Sequence, residues 1–96
     1  MHFSEAVKLK PDYVDAHNNL GIAFASQSKL DSSLVHFSEA ARLNPNYAAA
    51  HFGLGSVYQR QGRLDDAARE YNAALRINPN LADARRELDA LLRRPK

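Results

Sequence analysis

The sequence predicts an all-α fold built from repeated pairs of antiparallel helices, and three observations predict it. Pro11, Pro45 and Pro79 lie 34 residues apart, and a fixed period of that length marks stacked supersecondary units, none of which buries its apolar face alone. Within each period apolar residues recur at three- and four-residue intervals, as in Ala16, Leu20, Ala23 and Phe24, then Leu30, Leu34, Phe37 and Ala41. That is the spacing of one helical face. The period-two alternation of a half-buried strand is absent.

The elements follow in order. His2-Phe3-Ser4-Glu5-Ala6 recurs unchanged as His36 to Ala40, so residues 1–10 are expected to be the second helix of a partial repeat. Two full repeats are expected over 14–44 and 48–78, with a capping helix over 82–94, giving about six helices in one domain spanning 1–96. Ser28-Lys29 and Gly62-Arg63 separate the two helices of each repeat, where a left-handed residue closes a helix. Asp31 and Asp65 are expected to cap the helices that follow. Each proline excludes helical geometry at its predecessor, Lys10, Asn44 or Asn78, and Asp12, Asn46 and Asn80 follow as candidate caps. Gly21 and Gly55 lie inside helices at a cost of ~1 kcal/mol relative to alanine. Close helix approach is the expected benefit, with Ala6, Ala40 and Ala74 as the small residues opposite.

Composition narrows the function classes. The 96 residues are 45% hydrophobic and 25% charged, as in ordinary globular proteins. Lys+Arg of 13 against Asp+Glu of 11 leaves a net charge of +2, too small for a nucleic-acid footprint. No cysteine is present, which removes disulfides, thiolate nucleophiles and cysteine-ligated metals. No apolar run approaches the roughly 18–20 residues of a membrane span. The expectation is a soluble protein, cytoplasmic by default, either free or part of a longer chain.

The segments His17-x-x-Leu20-Gly21-x-x-Phe24, Ser33-x-x-x-Phe37 and Pro45, and again His51-x-x-Leu54-Gly55-x-x-Tyr58, Ala67-x-x-x-Tyr71 and Pro79, resemble the tetratricopeptide repeat pattern. The resemblance covers nearly the whole chain. It implies a right-handed superhelical solenoid in which the first helix of each repeat lines a concave surface where peptides or helices dock. The chain departs from the family pattern in having His where Trp is frequent, Ser33 for a small alanine and Ser28 for the turn glycine.

Residues that carry chemistry are sparse. His17/His51 and His2/His36 are repeat-related pairs, so repetition accounts for them, and no His-Glu-x-x-His or His-x-x-x-His accompanies them. Gly53-Leu54-Gly55 has neither the preceding strand nor the third glycine of a phosphate loop. No catalytic residue, metal ligand or cofactor is expected, and the chain is not expected to be an enzyme. Arg85, Arg86, Arg93, Arg94 and Lys96 make the last helix basic, but Asp83, Glu87 and Asp89 are interleaved with them. This is the solvated end helix of a repeat stack, and nucleic acid ranks last among partners.

A protein or peptide partner is therefore expected, on the helical face carrying Asp15, Asn18, Asn19, Ile22 and Ser26, and then Ala49, Phe52, Ser56, Gln59 and Arg60. Phe52 falls about 200° around its helix from Leu54 and is expected to stand apart from that residue's core contact, which leaves two readings open: an exposed aromatic hot spot, or a ring covered by neighbouring helices. The carboxylate clamp of some family members is not visible: its places carry Asn18, Ile22, Gly53, Asp83 and Glu87, and the two acids would repel a carboxylate. The alternative is self-assembly, head to tail or by helix exchange, through an uncovered end around Phe3 and Val7.

Overall fold

The computed structural model describes residues 11–93, with side chains from residue 13, and every regular element there is a helix. The elements are α1 (Pro11–Ser26), α2 (Leu30–Leu43), α3 (Ala48–Arg60), α4 (Leu64–Ile77) and α5 (Ala82–Arg93). The helix expected over 1–10, and Phe3 and Val7 within it, lie outside the described residues.

Contacts are densest within the pairs α1/α2 and α3/α4, then between neighbours α2/α3 and α4/α5, and α1 also touches α3. This is the contact pattern of a helical-repeat stack, each unit meeting the next.

Both turns inside the repeats take the same form. Ser28 has φ 62° and Gly62 φ 80°, the left-handed geometry expected there. Behind Ser28, the Ser28 amide donates to the Ala25 carbonyl and the Lys29 amide to Phe24; Gly62 and Arg63 repeat this onto Gln59 and Tyr58. Such paired bonds satisfy carbonyls left open by the helix end. Asn44 and Asn78 end their helices in extended conformation, as a following proline demands.

The capping expectations need correction. The N-cap positions of α2, α3 and α4 are Lys29, Tyr47 and Arg63, none with a side-chain cap bond. Asp31 and Asp65 lie two residues too late, in the first turn, where a carboxylate favours the positive end of the helix dipole. Asn46 and Asn80 do not cap either: their amides donate to the Asn44 and Asn78 side-chain oxygens at 3.1 Å. These Asx turns carry the chain around each proline. Asp12 is within α1, which is helical from Pro11, a position proline tolerates in a first turn.

The core repeats with the 34-residue period. Ala50, Leu54 and Val57 of α3 are buried, and so are Ala84, Leu88 and Leu91 of α5; each leucine gains about 1.5–3 kcal/mol on full burial. Their α1 counterparts Ala16, Leu20 and Ala23 are exposed, Leu20 by 42%. Leu54 packs against Phe37 in the preceding second helix, whereas the corresponding place before Leu20 falls in residues 1–10. The glycine expectation also shifts. A Cβ at Gly21 would sit 2.7 Å from the Phe37 ring, and one at Gly55 2.7 Å from the Tyr71 ring. The close approach is thus to aromatic rings one turn before Ala40 and Ala74, not to those alanines. Ser33, buried where the next repeat has Ala67, donates its hydroxyl to the Gly21 carbonyl at 2.7 Å, so the departure from alanine leaves no unsatisfied group.

Candidate functional site

An apolar cavity of about 270 Å³ lies between α1 and α3, floored by Phe37 of α2. Asn18, Ile22 and Ala25 line one wall; Ala49, Phe52, Gly53, Ser56 and Val57 line the other. Its origin is legible from the repeat. One step along the stack, the positions matching Asn18, Ala25 and Gly53 carry Phe52, Gln59 and Glu87, and all three converge on Tyr71. The Phe52 ring lies 5.6 Å from the Tyr71 ring, the Tyr71 hydroxyl donates to Gln59 Oε1 at 2.7 Å, and burial, followed by the Glu87 charge, pushes the phenol up to about 12. In the first step the smaller Asn18, Ala25 and Gly53 leave the equivalent space open above Phe37.

Five of the expected groove residues, Asn18, Ile22, Ala49, Phe52 and Ser56, line this cavity. Ile22 is 53% exposed and sits at its rim. Phe52 is half-buried and packs against the cluster that holds Tyr71, Leu88 and Leu91, so the structure combines the two readings left open by the sequence: one side belongs to the α3–α5 core and the other to the cavity. Asn18 is 93% buried, being 7% exposed, and its Oδ1 has no hydrogen-bond partner, a state that costs about 1–3 kcal/mol.

The other expected residues are engaged elsewhere or stand outside. Asp15 accepts a hydrogen bond from the Tyr47 hydroxyl at 2.5 Å, which pushes that phenol up to about 12. Ser26 donates to the Ala23 carbonyl. Gln59 is held by Tyr71, and Arg60 donates to the Ala25 carbonyl at 2.9 Å and to Ser28 Oγ at 3.3 Å, closing the end of α1. Asn19 is exposed and does not line the cavity. Phe37, Val57, Ala25 and Gly53 escaped the sequence reading of the groove; comparing side-chain size at positions 34 apart would have found the latter two.

A larger hollow of about 720 Å³ lies at the Pro45 turn, between Ala41, His51 and Arg76. His51 already meets Glu70 at 2.9 Å through Nδ1 and the Pro45 carbonyl at 3.1 Å through Nε2, so both ring nitrogens have partners. Among the described residues no three His, Cys, Asp or Glu side chains are grouped to hold a metal ion, and no helix is long and apolar enough to cross a membrane. On α5, Arg86 pairs with Asp83 and Arg93 donates to the Asp89 carbonyl, the interleaving of charge the sequence suggested.

Comparison with known proteins returns one architecture. A family model described as TPR repeat matches residues 2–28 and 23–62, and a second, described as Tetratricopeptide repeat, matches residues 48–81. No curated protein matches the chain significantly.

Proposed function

The chain belongs to the tetratricopeptide repeat family, whose repeats generally mediate protein–protein interaction, and from that premise we propose that it binds a peptide or helix of a partner protein across α1 and α3, acting as a scaffold and not as a catalyst. The observation that carries this reading is the open cavity over Phe37, with exposed Ile22 at its rim and the unpartnered Asn18 in its wall. Apolar walls with a few polar groups are what a recognition pocket requires. A side chain of the partner seated over Phe37 would add to this pocket the kind of contact that Phe52 makes with Tyr71 one step along. Asn19, Ser26, Asp15, Gln59 and Arg60 then border the site, the last three already tied into the fold.

The test is capture from an unbiased peptide library by the chain and by Ile22→Asp, a substitution at an exposed position that leaves the core intact. Enrichment by the parent chain, lost in the variant, supports the groove; equal enrichment by both moves the site elsewhere. A second reading, self-association of copies, is favoured by Leu92, 69% exposed on α5. It predicts a mass that rises with concentration and drops when Leu92 becomes serine; a constant monomer mass removes it.

A further inference from the structure

The filled and the open steps of the stack differ by a definite set of chemical groups. In the filled step the rings of Phe52 and Tyr71 meet at 5.6 Å and 50°, and the Tyr71 hydroxyl donates to the amide oxygen of Gln59 at 2.7 Å. Two rings, a hydroxyl and an amide oxygen are therefore brought together. At the matching positions of the open step, Phe37 stands for Tyr71, Asn18 for Phe52, Ala25 for Gln59 and Gly53 for Glu87. One ring and one amide oxygen remain, and a second ring and a hydroxyl are missing.

The amide oxygen that remains is unsatisfied. Asn18 is 7% exposed, and its Oδ1 is covered and has no hydrogen-bond partner. The terminal torsion of an asparagine is broad and roughly two-fold, so a half-turn of the amide presents that oxygen to the cavity Asn18 lines. A buried acceptor left unpaired costs free energy until a donor reaches it. The cavity, at about 270 Å³, falls below the roughly 300 Å³ at which small-molecule sites begin. It is the size for one large side chain, and none of the described residues lining it is charged.

Given that a peptide binds across α1 and α3, we propose that the side chain it places in this cavity is an unmodified tyrosine, with its ring over Phe37 and its hydroxyl donating to Asn18 Oδ1. A tyrosine supplies both groups that the open step lacks. Phenylalanine supplies the ring but leaves the amide oxygen unpaired, and leucine supplies neither. Aromatic rings pair best offset or tilted at centroid distances of about 4.5–7 Å, and Phe37 in the floor and Phe52 in the wall offer two faces for such contacts. A buried tyrosine hydroxyl needs a hydrogen-bond partner, which Asn18 provides. Phosphorylation of that tyrosine abolishes the fit, because the phosphate carries about −1.5 to −2 charge into walls with no cation to receive it.

The experiment titrates N-acetyl-tyrosinamide, N-acetyl-phenylalaninamide and phosphorylated N-acetyl-tyrosinamide into the full chain and into Asn18→Ala, following the Ile22 methyl and Phe37 ring signals by NMR. The tyrosine probe is expected to move those signals at a roughly fivefold lower concentration than the phenylalanine probe, the effect of one hydrogen bond, and the phosphorylated probe to leave them in place. In Asn18→Ala, which keeps the cavity open, the tyrosine and phenylalanine probes are expected to become equal. Equal half-saturation by those two probes in the parent chain, a tyrosine preference that survives in Asn18→Ala, or no movement at Ile22 and Phe37 overturns the proposal. Where Asn18→Ala fails to fold, the ranking of the three probes on the parent chain decides the matter alone. Peptide capture reads the groove separately: capture that is lost in Ile22→Asp, with no tyrosine preference among the probes, overturns the tyrosine and leaves the groove standing.

Discussion

Replacing Gly55 by alanine should destabilise this protein even though alanine is the better helix former. Inside a helix the exchange by itself gains about 1 kcal/mol. The added methyl would sit 2.7 Å from Tyr71 Cε1 and 2.8 Å from Cδ1, where carbon atoms rest at about 3.5–4.0 Å. One of the two elements must therefore move by the better part of an ångström. Tyr71 has little freedom to yield: it is 1% exposed, its cluster includes the fully buried Ala67 and Ala74, and its hydroxyl is tethered to Gln59. Overpacking of this kind costs about 1–3 kcal/mol, and the restraint on Tyr71 places this case at the upper end, so after subtraction of the helix gain the net loss is up to about 2 kcal/mol. For a domain of this size each kcal/mol lost lowers the melting temperature by roughly 4–8 °C. Calorimetry or circular dichroism melting of Gly55→Ala reads it directly, and the penalty should shrink in a Tyr71→Leu background, where the ring is gone. A Gly55→Ala protein that melts at or above the parent temperature would refute the reasoning, because the close approach would then not be rigid.

Other perturbations separate binding from stability. Asn18→Leu removes a buried acceptor that has no partner, so stability in urea should hold or rise by up to ~1 kcal/mol, while peptide capture falls as the leucine fills the cavity; a marked loss of stability would show that Asn18 is needed by the fold. Arg60→Ala gives up bonds to Ala25 and Ser28 at an exposed site and should cost under about 1 kcal/mol, with peptide capture retained. Alkaline pH should weaken the fold. Burial and then Glu87 raise Tyr71 to about 12, and the hydrogen bond to Asp15 raises Tyr47 to about 12, against an unfolded value of about 10. A raised phenol favours the protonated folded chain, so stability is present in full below pH ~10 and is lost as pH climbs toward ~12. Melting temperature against pH checks this, and a flat profile through that window counts against it.

Much of the fold could be read in the chain because repetition makes the sequence state each local rule twice. Prolines 34 residues apart, apolar residues at helical spacing, and Ser28 and Gly62 at matching turns are local signals, and each acts through backbone geometry that neighbouring residues set on their own. Caps were harder, since the residue that stands just outside the helix differs from the expected one by only one or two positions, and a side-chain oxygen two residues away competes for the same amide. The site was legible only in outline. Helical spacing placed Asn18, Ile22, Phe52 and Ser56 on one face, and the structure sets them around one cavity.

What the chain alone determined is thus the element type, the period and the polarity of each face, all functions of residues close in sequence. What only the tertiary structure decided is which faces meet. Leu20 and Leu54 are the same residue at the same repeat position, yet one is 42% exposed and the other 5%, because burial depends on what lies across the contact. Phe52 is shared between core and cavity for the same reason. Asn18 and Phe52 differ in volume, and it is their different neighbours across the stack, Phe37 and Tyr71, that turn this difference into an open pocket in one repeat and a filled core in the next.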